Sequence, residues 1–166
     1  MLSQLIDQIY SRHLYWHQYL QSFASQWNIV VPVPEASYDP RWHKWAGIYY
    51  PRSHRIRYVL PYVITETLAG YDETIAHEMC HAFQDRIIPM PELASGSVIK
   101  CMCTEKHGEF FHFLLKNVCG FARGKHHRYD IRKAKKVEEV VITMFKMEAL
   151  SNTFNTTDER KAADEV

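Results

Sequence analysis

Residues 74–83 read TIAHEMCHAF, and within them His77-Glu78-Met79-Cys80-His81 fits H-E-x-x-H. Two histidines four residues apart share a face only on a helix, so the pattern asks for a helix if both imidazoles are to meet one ion. With 10 His in the chain, such a pattern arises by chance in roughly 4 of 100 sequences of this length and composition, and its surroundings have to decide. They favour a helix: Ile75, Met79, Ala82 and Phe83 form an apolar stripe, Gly70 breaks the chain before it, Asp72 offers an N-cap, and the pattern stops near Ile87 before Pro89 and Pro91.

On such a helix His77 and His81 present two nitrogen ligands to a zinc-like ion. Glu78 is rotated about 100° from His77, which keeps it off the ion but within reach of a water beside it. A catalytic zinc site takes three protein ligands and leaves a fourth position open, so one ligand must come from elsewhere. His107 leads, standing at the start of a further apolar-periodic run (HGEFFHFLLKNV) and followed by Gly108; Glu105 and Glu109 are the rivals.

Upstream, Leu2, Leu5, Ile6, Ile9, Trp16, Leu20, Phe23 and Trp27 recur at helical spacing with His13 on the same face, which predicts a long N-terminal helix. WNIVVPVP reads as a strand followed by a Pro-broken loop, and WAGIYY and HRIRYVL as two more strands joined at PRS. Three largely antiparallel strands therefore precede the motif. Between the motif and His107, residues 89–105 read as an irregular connection. After it, Gly120 stops the third helix, and VEEVVITMFKMEAL fits either a helix, through Val137, Val140, Val141, Met144 and Phe145, or a strand, through VVITMF, with helix favoured. The aromatic cluster RWHKWAGIYY is assigned to packing ahead of base stacking.

At 166 residues and 46% hydrophobic, the chain supports one core, expected over residues 1–150, with 151–166 as a polar, disordered tail. A net charge of +1 leaves no global field for nucleic acid or anionic lipid, so any such binding is local. MLSQLIDQIYSRH lacks a signal-peptide pattern and no run reaches the length of a membrane span. An intracellular protein, cytoplasmic or nucleoid/nuclear and neither secreted nor membrane-bound, is expected. Cys80, Cys101, Cys103 and Cys119 are expected as free thiols.

ETIAHEMCHAF followed by HGEFF resembles the SprT-like metalloprotease core, the Spartan-type family, in which H-E-x-x-H-A is completed by a histidine in H-G-x-x-F/W; WAGIYY and RIRYVLP are similar to the strands before the active helix there. The resemblance spans about Leu2 to Gly120. It implies an α+β, zincin-like fold, His77, His81 and His107 as Zn2+ ligands, Glu78 as catalytic base, and a protein or peptide substrate, with DNA-associated or DNA-crosslinked proteins as the family's hint. Two features depart from the pattern: the gap from His81 to His107 is long, which implies an insertion at 89–105, and the chain has no C-x-x-C for a second zinc.

Arg123, Lys125, Arg128, Arg132, Lys133, Lys135 and Lys136 fall in one short stretch against Asp130 alone. A solvated face is the default for such a run, with DNA backbone contact the alternative use. The rival to the peptidase is therefore a nucleic-acid-binding module whose zinc site is structural or vestigial. Glu78 separates the two, because a closed structural site has no use for a carboxylate beside an open position.

Overall fold

The opening periodicity becomes helix α1 (Leu2–Ala24), which buries Leu2, Ile9, His13, Trp16 and Leu20 along one face and ends in a 3-10 turn, Ser25–Trp27. The computed structural model describes residues 1–87, 106–121 and 129–164, with side chains as far as Leu150. After α1 come β1 (Glu35–Asp39), β2 (Gly47–Tyr50), β3 (Arg55–Val59), α2 (Leu60–Thr65) and α3 (Leu68–Ile87). Beyond the undescribed connection lie α4 (Glu109–Phe113), continued as a π-helical turn Leu114–Val118, and α5 (Ile131–Asp164). The class is α+β, with five helices and one small mixed sheet among the described residues.

The sheet corrects two expectations. Its order is β1-β3-β2, with β2 antiparallel to β3 as a hairpin should be but β1 parallel to β3. The segment between β1 and β2 crosses the sheet and delivers β2 to the far edge, a route that strand patterning alone does not encode. The first strand is also not WNIVVPVP; it lies downstream, over Glu35–Asp39. Pro32 and Pro34 have no N–H to give a ladder, so this stretch is held by imidazoles instead. His17 Nε2 meets Val31 O at 2.8 Å, His54 Nε2 meets Pro32 O at 2.7 Å, and His13 Nε2 meets Pro34 O at 2.9 Å. Ile29 and Val31 are thereby buried without belonging to the sheet.

Helix α3 begins four residues before the expected cap. Gly70 N–H donates to the Thr67 hydroxyl at 3.2 Å, while Asp72 lies inside the helix and serves a tertiary role. Its carboxylate takes a two-pronged contact from Arg12 (2.8 and 2.7 Å) and the Trp16 indole N–H at 2.9 Å, which locks α1 onto α3. Tyr58, Tyr71, Phe83, Ile56 and Met79 fill the core between α1, the sheet and α3. α2 was not foreseen: Pro61 starts a helical turn directly after β3, where RIRYVL read as uninterrupted strand.

Gly120 follows α4 and its π-helical turn with φ +80°, a left-handed value that suits glycine. α5 is helical as expected, and its backbone continues to Asp164 through the polar stretch. The connection at 89–105 lies outside the described residues, as do Cys101, Cys103 and Glu105. No helix among the described residues is long and apolar enough to cross a membrane.

Candidate metal centre

α3 carries the motif so that Ile75, Met79, Ala82 and Phe83 face the core, while His77 and His81 project toward α4. Their Nε2 atoms are 3.2 Å apart. His107 enters from the turn just before α4, with its Nε2 at 3.0 Å from that of His81 and 3.3 Å from that of His77. Three ring nitrogens thus make a nearly equilateral triangle. His81 is buried, His77 half-buried and His107 exposed, so one side of the triangle opens to solvent.

Phe111, one turn beyond His107 and only 1% exposed, packs against all three rings. It stacks on His81 at 4.4 Å between centroids and meets His77 at 4.8 Å and His107 at 4.9 Å edge-on. The aromatic position of H-G-x-x-F is therefore the wall that sets the three imidazole planes. Burial, with smaller contributions from His77, His107 and Lys106, depresses the His81 pKa to about 2. A neutral ring whose nitrogen faces two other rings is in the state that ligates a cation.

The donor set passes a simple test of fit. Two nitrogens each about 2.05 Å from one zinc and tetrahedrally disposed lie about 3.3 Å apart; the observed edges run from 3.0 to 3.3 Å. Among the described residues these three are the sole His, Cys, Asp or Glu cluster of this kind. Glu109, exposed on α4, is not part of it.

No family model, curated protein or solved structure matches this chain. The geometry therefore carries the reading.

Glu78 is 8% exposed and lines the same cleft as His77 and His107, with one carboxylate oxygen turned to the sheet. Its Oε2 accepts the Tyr49 N–H of β2 at 2.8 Å. Burial raises the Glu78 pKa to about 7, against the smaller opposing pulls of that N–H and of Lys106. Gly47 makes this approach of strand and helix feasible: a Cβ there would lie 2.9 Å from Glu78 Cγ and 3.0 Å from Thr74 Cγ2. His77, Glu78 and His107 line one cleft of about 570 Å³ together with Trp45, Gly47 and Tyr129. Trp45, 57% exposed, stands at its rim, whereas Trp42 packs inward with its indole N–H on the Tyr62 hydroxyl at 3.0 Å.

Tyr129, Thr74 and the Tyr49 amide were missed from sequence. Tyr129 hydrogen-bonds Thr74 and contacts Tyr62 and Tyr71, bringing the start of α5 to the cleft wall. Nothing local in RYDIRK announces that, because the partners lie on α2 and α3. Of the basic run, Arg132, Lys133, Lys135 and Lys136 are exposed at the start of α5, with Lys135 Nζ 4.3 Å from the Trp42 ring centroid. Arg123, Lys125 and Arg128 lie outside the described residues. Cys80 and Cys119 are free and buried, their sulfurs 3.8 Å apart.

Proposed function

We propose that this chain is a zinc-dependent peptidase of SprT-like type, acting on protein substrates. One observation carries the reading: the three Nε2 atoms of His77, His81 and His107 converge at 3.0–3.3 Å, in a cleft that also contains the buried carboxylate of Glu78. The three histidines would hold zinc. When bound there, the ion supplies Lewis-acid chemistry, polarising a carbonyl and acidifying water.

Everything else falls to the chain's own groups. Glu78 has one oxygen committed to the Tyr49 amide, so Oε1 is left to take a proton from the attacking water and return it to the departing amine. Burial lifts its affinity for a proton toward neutrality, which suits a group that must both accept and release one. A cation in the triangle lowers that affinity again through its field.

β2 is an edge strand, whereas β3 is paired on both sides, so of the two strands flanking the hairpin only β2 has an edge for an extended peptide. The Tyr49 amide faces α3, and by the two-residue period of a strand the backbone groups of Gly47 face the same way, along the cleft.

The test pairs metal analysis with hydrolysis of an unfolded protein such as casein. Wild type should carry about one zinc per chain. Glu78→Gln should keep zinc and fold but lose hydrolysis by roughly three orders of magnitude or more, because the base acts on water and not on the ion. A zinc-free wild type, or an active Glu78→Gln, overturns the proposal.

A further inference from the structure

A second cleft, of about 660 Å³, lies between the outer face of β1 and β3 and the middle of α5. It shares no lining residue with the histidine cleft. The strand period puts it there: Ile56 and Tyr58 turn into the core, so Arg55 and Arg57 must turn out. Arg41 and Lys146 complete a ring of four cations, with Asp39 as the single carboxylate on the wall.

That carboxylate is already engaged. Its Oδ1 accepts the Arg41 backbone N–H at 2.9 Å, and its Oδ2 meets His43 at 2.7 Å and Arg57 only distantly at 3.8 Å. Among the described residues, Arg41, Arg55 and Lys146 have no acidic partner. Arg55 Nε is moreover the one buried side-chain polar atom there with no hydrogen-bond partner. A shielded donor of this kind is costly to the fold unless an acceptor meets it.

The Tyr50 ring lies beneath both guanidinium groups, 5.3 Å from Arg55 and 5.0 Å from Arg57. The opposite wall, on α5, is apolar from Ile142 and Phe145.

From this we infer that the cleft between β1, β3 and α5 binds a polyphosphorylated small molecule of nucleotide size, its phosphates on Arg55, Arg57, Arg41 and Lys146 and its ring against Phe145 and Ile142. Arginine forks match phosphate oxygens in pairs, and four cations against one occupied carboxylate call for more than a single negative charge. The volume lies within the range of small-molecule sites, and the mixed wall suits a ligand with one charged and one flat end.

Calorimetric titration of the full chain with ADP, inorganic pyrophosphate and a short single-stranded oligonucleotide tests this, with zinc content checked afterwards because phosphates chelate. ADP should bind, pyrophosphate should compete with it, and Arg55→Met and Lys146→Met should each weaken ADP roughly tenfold or more. Arg55→Lys, which keeps the charge but loses the fork, should fall between. Glu78→Gln should bind ADP as wild type does, which separates this site from the peptidase reading. Lys146 is exposed on α5, so its variant serves even where an Arg55 change disturbs the sheet. Absence of ADP binding at low salt, unaltered affinity in both Met variants, or binding by the oligonucleotide alone overturns the inference.

Discussion

His13 should make the folded chain acid-sensitive, by an amount the structure fixes. The ring is wholly buried between α1, β3 and the proline segment. Pro34 O can only accept, so Nε2 carries the proton; Nδ1 is then an acceptor, and the Tyr58 hydroxyl donates to it at 2.8 Å. The neutral ring is fully satisfied in this tautomer. A second proton would put a charge in the core and force the Tyr58 hydroxyl to turn from donor to acceptor.

Burial accordingly drives the His13 pKa from 6.5 to about 4, against the pull of Pro34 O. The unfolded chain thus binds a proton that the folded chain refuses. The stability at stake is fully present above 6.5 and drains away as pH falls toward 4. At about 1.4 kcal/mol per tenfold change in proton activity, the loss through this one ring is about 3 kcal/mol between pH 7 and 4.

The assay is urea unfolding by tryptophan fluorescence at several pH values, for wild type and His13→Gln. Every other titrating group, the histidine triangle included, is common to both chains and cancels in the difference. Wild type should be the more stable at pH 7, and its advantage should shrink by about 3 kcal/mol by pH 4. A gap that stays constant within roughly half a kcal/mol across that range, which is beyond extrapolation error, refutes the argument. So does an NMR titration that finds His13 protonated at pH 6.

Other perturbations separate the parts of the site. His107→Ala should surrender zinc under mild chelation while Glu109→Ala retains it, read by metal analysis after dialysis; the reverse result would move the third ligand. Gly47→Ala should keep zinc yet lower kcat by roughly ten- to a hundredfold, because a methyl 2.9 Å from Glu78 Cγ must displace the carboxylate or the strand; an unchanged kcat would show that the carboxylate's placement is not critical. For the basic run, reversing the exposed Arg132, Lys133, Lys135 and Lys136 to Glu should abolish any salt-sensitive DNA binding and leave casein cleavage intact, as measured by DNA titration at two salt concentrations. DNA affinity that survives the reversal places the contact elsewhere.

How much of this was readable beforehand depended on whether the governing interactions were local. The α1 stripe, the β2–β3 hairpin and the helix under His77 and His81 were legible because period and burial coincide along each stretch. The convergence of the three histidines was legible because H-E-x-x-H and H-G-x-x-F each bring their own geometry, and Phe111 ties the two segments together. The failures share one cause. β-branched residues at 29–33 promised a strand, but the prolines withheld its donors, and the segment's carbonyls went to His13, His17 and His54. Asp72 looked like a cap because caps are the commonest local use of such a residue, yet Arg12 and Trp16, about 60 residues earlier, claim it. The amide that orients Glu78 comes from Tyr49, on a strand whose approach depends on Gly47 having no side chain. In each case the deciding partner is distant in sequence and is often a backbone atom, which one-dimensional patterning cannot register. That also makes the Tyr49 amide hard to remove by substitution: the way to disturb it is from Gly47, where a single methyl acts on strand and carboxylate together.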